Sequence, residues 1–217
     1  MSQALFDQAV KALGENRFSE ARKILIELRQ TGVTSADLES NLALALLKTG
    51  DPGWAVYHAE RALGLDRWNL DRWKELEKIN SAVFELGATS LSPVDSWIHS
   101  SSRLLKSTES AFIGLNLGLA LAFLAINKRI TKIRLLVLGS PTLLALGYAA
   151  FLATGFQVAV TPKESALRRA PLESSSPQGL LKPGTRLEIL RASGDFYEVK
   201  NRQYSGWVLK KDTEKLP

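Results

Sequence analysis

The sequence predicts a multidomain protein in which an all-α helical-repeat domain is followed by a hairpin of two apolar helices and a small all-β barrel. Three observations support this order: an internal period of 34 residues, two long runs without charge, and short alternating segments between prolines and glycines. We place the helical domain at residues 1–90, a linker at 91–106, the hairpin at 107–160 and the barrel at 161–217.

The charge balance differs between the two halves of the chain. Residues 1–100 carry 11 basic and 14 acidic side chains, whereas residues 101–217 carry 17 basic and 8 acidic ones. Four basic residues lie together between the apolar runs, without interleaved aromatic or polar side chains that would read bases, so we predict no nucleic-acid partner. The absence of cysteine excludes disulfides, thiolate zinc sites and thiol nucleophiles.

No arrangement of residues supports catalysis. The sequence has no glycine-rich phosphate loop, and its only two histidines, His58 and His99, are far apart without other ligand-forming residues nearby. The acidic residues are spread along helix faces as solvated charges. We therefore predict a protein that is not an enzyme and holds no metal and no cofactor.

The first third of the chain repeats itself at an offset of 34 residues. This offset pairs Ala9 with Ala43 and Ala21 with Ala55, which places small residues where two helices must approach closely. The clearest copy is NLALALLKTGDPGWAVYHAERALGLDR at residues 41–67, with two helical patterns joined by a Gly-Asp-Pro turn. A period of this length is typical of tetratricopeptide (TPR) units, each a pair of antiparallel helices.

A third unit begins at Asn69, with Trp73 where such repeats often carry tryptophan, but nothing after Ser81 repeats the second-helix pattern. We interpret it as a capping helix. Two and a half units are fewer than the three that such arrays usually need, so we expect support from the membrane, the other domain or a partner. The first helices should line a concave TPR groove for peptides, unless its apolar members only pack against neighbouring helices. The groove residues are Phe6, Val10, Leu13, Asp37, Ser40, Leu44, Leu47, Lys74 and Lys78.

Two apolar runs, residues 111–126 and 135–160, predict a transmembrane hairpin in a lipid bilayer. A helix needs about 20 residues to cross about 30 Å of hydrocarbon, and spans at about 108–127 and about 135–156 meet this requirement. The alternative is a pair of buried helices in a soluble core, but such helices usually have a polar face and neither run has one. Since a charge is costly inside a bilayer, the basic residues between the runs should form the turn of the hairpin. These residues are Lys128, Arg129, Lys132 and Arg134.

Small residues within the two runs indicate close helix packing. Gly114 and Gly118 form a GxxxG pattern, Gly147 lies near the centre of the second run, and Asn116 can donate a hydrogen bond between helices. We favour packing of the hairpin on itself over oligomerisation. Short basic loops stay in the cytoplasm, which predicts that both ends of the chain lie outside it. Trp97 suits a linker helix at the level of the lipid headgroups.

The last third of the chain predicts strands. Residues 186–190, 196–200 and 206–210 alternate between apolar and polar side chains, and turns at 182–185 and 192–195 separate them. This pattern predicts a small barrel of about five strands. Its candidate core residues are Leu187, Ile189, Val199 and Trp207 or Val208.

The same landmarks resemble those of bacterial SH3 domains. They are GLLKPGTRLEIL at residues 179–190, FYEV at 196–199 and GWV at 206–208, within a match that covers about 158–213. The resemblance implies an SH3-like barrel that binds partner proteins or cell-wall peptides. The candidate surface aromatics are Phe196, Tyr197, Tyr204 and Trp207.

The order of TPR units, hairpin and SH3-like barrel resembles the BatE-type proteins of the bacterial aerotolerance operon. The most telling match is residues 41–66, where GDxGxA and ERAL occur in a repeat placed shortly before a hairpin. The resemblance implies an inner-membrane component of an assembly that contains von Willebrand A-type proteins and, indirectly, a MoxR-type ATPase, with both soluble domains in the periplasm. MSQALFDQAV has no cleavable leader, so either a leader precedes Met1 or both domains face the cytoplasm; we favour the first.

Two functions are consistent with these patterns. The first is a non-enzymatic membrane scaffold that recruits partner proteins through the TPR groove and the SH3-like barrel. The alternative is an envelope binding module whose SH3-like barrel docks on peptidoglycan.

Overall fold

The computed structural model describes residues 2–85, 107–126, 143–150 and 157–216. The chain divides into two compact units, one made of Met1–Ser96 with Gln157–Pro217 and the other of Trp97–Phe156. The first unit therefore combines the helical domain, residues 2–85, with the β-domain, residues 157–216, although the second unit separates them in sequence.

The helical domain contains five helices that recur with the predicted period. The first, third and fifth helices begin at Ser2, Ala36 and Leu70, at intervals of 34 residues, and the second and fourth helices keep the same interval. The third unit starts with a helix, as predicted. The helices are α1 (Ser2–Gly14), α2 (Phe18–Gln30), α3 (Ala36–Lys48), α4 (Pro52–Leu65) and α5 (Leu70–Glu85).

Local sequence signals explain where α3 and α4 begin and end. Ser35 is the N-cap of α3, where its hydroxyl accepts a hydrogen bond of 3.1 Å from the N–H of Leu38. Gly50 has a φ of 85°, a left-handed conformation that glycine adopts without strain, and this lets the chain reverse after α3. Pro52 then lies in the first turn of α4, where its missing N–H leaves no hydrogen bond unmade.

Leucine and alanine form the core between these helices. The alanines let the helix backbones approach closely, and the leucines fill the space between them. Val160, at the start of the β-domain, belongs to the same buried cluster. The buried helical residues of the cluster include Leu25, Leu28, Leu38, Leu42, Ala43, Ala55, Ala59 and Leu63.

The β-domain is a single antiparallel sheet of seven strands in the order β3-β2-β6-β5-β4-β1-β7. This is more than the five or so strands predicted, because the short terminal strands lack a clear alternating pattern. The strands are β1 (Gln157–Val160), β2 (Ser165–Arg168), β3 (Pro177–Leu181), β4 (Arg186–Ser193), β5 (Phe196–Lys200), β6 (Ser205–Leu209) and β7 (Glu214–Lys215).

Strand β1 corrects the predicted boundary between hairpin and barrel. We place the end of the hairpin at residue 160, but Gln157–Val160 pairs with β4, in a register that sets Val160 opposite Arg186. The apolar side chains of Val158, Ala159 and Val160 are buried within the protein. Their hydrophobicity therefore belongs to the sheet and not to a span.

The predicted core of the β-domain is confirmed. Leu187, Val199 and Val208 are fully buried in one cluster, which Leu167 and Leu181 complete. Ile189 packs against this cluster, and Trp207 is buried as well. The turns that connect β3 to β4 and β4 to β5 contain Gly184 and Gly194, both with positive φ.

The second unit contains helix α6 (Ser107–Ile126) and a helical segment at residues 143–150. No helix in the described part of the chain is both long and apolar enough to cross a membrane. Parts of the predicted spans, at residues 127, 135–142 and 151–156, lie outside the described residues, as do the predicted basic loop at 128–134 and the whole linker at 91–106. The transmembrane hairpin therefore stays a prediction.

The two helical segments of this unit pack at Gly114. A β-carbon at Gly114 would lie 3.1 Å from the side chain of Leu146 and 3.5 Å from the β-carbon of Ala145, so glycine allows a close approach. Asn116 donates instead to the carbonyl of Phe112 in its own helix, at 2.8 Å. Gly147 has no atom within 4 Å of such a β-carbon, so it does not contribute to the packing described.

Candidate functional site

The predicted TPR groove residues lie on α1, α3 and α5. Val10 and Leu44 expose 42% and 38% of their surface, so two large apolar side chains remain accessible on α1 and α3. Lys74 and Lys78 are exposed on α5. Phe6, Leu13 and Leu47 are only partly exposed, and Phe6 and Leu47 also pack against the helical core.

Polar groove residues link neighbouring helices. Asp37 of α3 pairs with Arg72 of α5, which also pairs with Glu75 at 2.9 Å. Ser40 donates a hydrogen bond to Glu75. Asp37 and Ser40 therefore connect α3 to α5 through Arg72 and Glu75, and the periodic pattern did not single out Arg72.

The β-domain packs closely on α4 and α5, and two glycines make this possible. A β-carbon at Gly53 of α4 would lie 2.3 Å from the carbonyl oxygen of Pro162, and one at Gly184 would lie 2.3 Å from the side chain of Val83 in α5. No larger residue fits at either position without movement of the backbone or of a buried side chain. The other domain is thus the support that the short repeat array was expected to need.

A buried ion pair fixes this contact between the domains. Arg186, at the start of β4, pairs with Glu60 of α4 and donates a hydrogen bond of 2.7 Å to the side-chain oxygen of Asn80 in α5. The side chain of Glu60 is 1% exposed and that of Arg186 is 15% exposed. Because both charges are largely shielded from water, removal of either partner would leave the other charge buried without a counter-ion.

A second buried cluster surrounds Glu39 of α3. This carboxylate is fully buried. It forms hydrogen bonds with Nδ1 of His58 at 2.5 Å and Nε of Arg61 at 3.0 Å, and an ion pair with Arg29, whose Nε lies 3.4 Å away. His58 and Arg61 lie on α4, and Arg29 lies on α2, so one carboxylate connects three helices. With Glu39 ionised, the Nδ1 of neutral His58 is the protonated nitrogen.

The pKa values of both central groups are lowered. Burial is the largest effect on Glu39 and raises its pKa, but the hydrogen bond from His58 and the charges of Arg61 and Arg29 outweigh it and lower this pKa below 4.5. Burial also lowers the pKa of His58 below 6.5, against the opposing effect of Glu39. The cluster is therefore built for an ionised Glu39 and a neutral His58.

We expect the thermal stability of the protein to fall as the pH drops below about 6.5. The unfolded state takes up a proton on His58 at a higher pH than the folded state does, so the stability present above this value is lost on acidification. Glu39 adds a further loss when the pH falls through its lowered pKa. Thermal unfolding of the full chain in detergent micelles, measured by circular dichroism between about pH 5 and 8, tests this.

His58→Gln should flatten this pH dependence between about pH 5 and 7, because glutamine can still donate to Glu39 but does not titrate. His99→Gln is the matched control, since it removes the other histidine of the chain. Parallel curves for the wild type and His58→Gln over this range would contradict the assignment.

The four predicted surface aromatics of the β-domain do not form one surface. Phe196 and Trp207 are buried, which leaves Tyr197 and Tyr204 partly exposed against the core. The ammonium groups of Lys210 and Lys215 lie 5.3 and 5.1 Å from the ring centre of Tyr197, a cation–π arrangement. The partly exposed side chains of this region thus include Tyr197, whose ring lies close to the ammonium groups of Lys210 and Lys215.

The fold and core of the β-domain are those of a small antiparallel SH3-like domain. Residues 164–214 match the family described as Bacterial SH3 domain, so this part of the chain is a bacterial SH3 domain. No curated protein sequence matches the chain.

Proposed function

We propose that the protein is a non-enzymatic, membrane-attached adaptor that recruits partner proteins. The observation that carries this proposal is the contact between the helical domain and the bacterial SH3 domain through Arg186 and Glu60. Two domains of kinds that bind proteins are joined into one unit. A fixed pair of binding surfaces suits a protein that holds two partners in a defined geometry.

The proposal places a docking surface on the row of first helices. Here α1 and α3 expose Val10 and Leu44, and α5 adds Lys74 and Lys78. An apolar row bordered by lysines fits an amphipathic peptide whose acidic side chains meet the lysines. In this role the helical domain acts as a TPR-type array.

Attachment to a bilayer is proposed from the second unit. The described part of this unit exposes large apolar side chains, including Phe112, Leu115, Leu143 and Leu144, and lipid would cover them. The contact between the helical and β-domains requires both to be in one compartment. This supports an even number of crossings between them, as in the predicted hairpin.

We propose the bacterial inner membrane as the location, with both domains in the periplasm, on the basis of the basic residues at 128–134. The proposed partners are von Willebrand A-type subunits of a Bat-type assembly and, through them, a MoxR-type ATPase. The support for these partners is the resemblance of residues 41–66. Reporter fusions at both termini test the location: the two ends should report the periplasm, and ends in different compartments would contradict the arrangement.

Co-purification from detergent extracts tests the recruitment of partners. Leu44→Glu combined with Val10→Glu should abolish recovery of von Willebrand A-type subunits, because two charges are placed in the apolar row. Leu65→Glu is the matched control, since Leu65 is also exposed but lies on a second helix, α4. Equal recovery with the double variant and the wild type would exclude the groove as the docking surface.

The alternative function is docking on peptidoglycan. It is favoured by the bacterial SH3 domain at residues 164–214 and by the lysines around Tyr197, which could meet the carboxylates of wall peptides. The full chain in detergent should then sediment with purified cell wall, and Lys210→Gln with Lys215→Gln should reduce this. No sedimentation of the wild type would exclude the alternative.

A further inference from the structure

A pocket of about 410 Å³ opens between α2, α3 and α4 of the helical domain. Arg22 and Arg29 line it from α2, and Trp54, His58 and Arg61 line it from α4. These second helices are separate from the first helices that carry the predicted TPR groove. The size of the pocket is within the range of small-molecule and side-chain binding sites.

The three arginines are held in position by carboxylates beneath or beside them. Arg61 and Arg29 contact the buried Glu39 through their Nε atoms. Arg22 pairs with Asp51 at 2.5 Å and donates to the hydroxyl of Thr49 at 3.2 Å. Among the described residues, the ion pair of Arg29 is made with Glu39 and through Nε. Its two terminal nitrogens can therefore bind a ligand as a planar fork.

The charges of the pocket leave an excess of one positive charge. Three guanidinium groups face the two carboxylates of Glu39 and Asp51, and His58 beside them is neutral near pH 7 because burial lowers its pKa. A single carboxylate neutralises this excess. A phosphate dianion would reverse it, so the charge balance favours a carboxylate ligand.

The floor and one wall of the pocket are apolar. Leu42 and Leu46 of α3 form the buried floor, and Ile26 and the ring of Trp54 stand beside it. A ligand that fills this space therefore combines an anionic group with an apolar group next to it. A peptide with an acidic residue beside an apolar one has this chemistry.

We propose that this pocket binds a carboxylate of an acidic peptide segment from a partner protein, between Arg22, Arg29 and Arg61. The proposal rests on the adaptor function and adds a second recognition site on the helical domain, at its second helices. Glu39 is a positioning residue in this site, since it orients Arg29 and Arg61 without contacting the ligand.

A fluorescein-labelled peptide of alternating glutamate and leucine tests the proposal by fluorescence anisotropy with the full chain in detergent micelles. The glutamate peptide should bind about tenfold more tightly than its glutamine analogue, because hydrogen bonds to a charged group are lost in the analogue. Equal affinities would overturn the proposal. Displacement of the peptide by millimolar inorganic phosphate, but not by acetate, would also overturn the choice of a carboxylate.

Arg29→Gln should weaken binding of the glutamate peptide about tenfold. Lys23→Gln is the matched control, because Lys23 is an exposed cation on the same helix that does not line the pocket. Equal losses in both variants would show non-specific attraction and overturn the site. Arg22→Gln, which leaves the Glu39 cluster intact, should weaken binding similarly and serves if Arg29→Gln unfolds.

The outcome is distinguishable from that of the adaptor proposal. If the pocket fails, the peptide does not bind while partner subunits still co-purify through the groove. If the adaptor function fails, no partner subunits co-purify with the wild-type protein, while Arg29→Gln still lowers the affinity for the glutamate peptide.

Discussion

Replacing Arg186 by methionine should destabilise the contact between the helical and β-domains by about 3–5 kcal/mol. The variant keeps most of the side-chain volume but removes the cation that faces Glu60, whose carboxylate is almost completely buried. It also removes the hydrogen bond to Asn80. Thermal unfolding in detergent micelles should show a large decrease in Tm, and limited proteolysis should cleave the β-domain faster.

Arg202→Met is the matched control for this variant. Arg202 is an exposed arginine in the turn between β5 and β6 of the same domain, so its replacement should change the stability by less than about 0.5 kcal/mol. Adding Glu60→Gln to Arg186→Met should restore part of the loss, because it removes the buried charge. If Arg186→Met and Arg202→Met have the same Tm, the ion pair does not fix the domains.

Gly53→Ala should lower the stability by about 1–3 kcal/mol, although alanine is the better helix former. The new β-carbon would lie 2.3 Å from the carbonyl oxygen of Pro162 and 2.6 Å from that of Thr161. Both are backbone atoms, which cannot rotate away as the end of a flexible side chain can. We expect a decrease in Tm and faster proteolysis of the β-domain.

Gly14→Ala provides the comparison for this substitution. Gly14 ends α1, and a β-carbon there would have no atom within 4 Å. The substitution should therefore be neutral or slightly stabilising. If Gly53→Ala were as stable as Gly14→Ala, the close approach of α4 to residues 161–162 would be refuted.

Periodic patterns predicted the individual elements well. The 34-residue interval of small residues such as Ala9 and Ala43 placed the helices, because close packing of paired helices admits few residue types. Alternation around Leu187 and Val199 placed the β-core for the same reason: each pattern reflects burial on one face. The bacterial SH3 domain was recognised from its landmarks between residues 179 and 208.

The interactions between elements were not predictable in this way. Arg186 and Glu60 are 126 positions apart, and neither interrupts a local pattern, so nothing in the sequence pairs them. Glu39 did leave a signal, since it falls in the stripe three and seven positions before Leu42 and Leu46. A charged residue in such a stripe indicates a buried ion pair, but not its partners on α2 and α4.

The apolar pattern extends the predicted hairpin to residue 160, although the resemblance to bacterial SH3 domains already begins at about residue 158. Val158, Ala159 and Val160 follow directly on a long apolar run, and hydrophobicity alone does not distinguish a span from a strand that is covered on both faces. The distinction comes from pairing with β4 and from packing on the helical core.

The pairing of Glu60 with Arg186 also has a consequence for biosynthesis. The helical domain is translated well before β1 and β4. Gly53, Glu60 and Val83 of α4 and α5 therefore lack their β-domain contacts while the apolar middle of the chain is translated. During that interval the nascent helices are open to chaperones and proteases. This surface of α4 and α5 is covered only once the last strands have been translated. A chain truncated before β4 should therefore keep it exposed and be recognised by proteases.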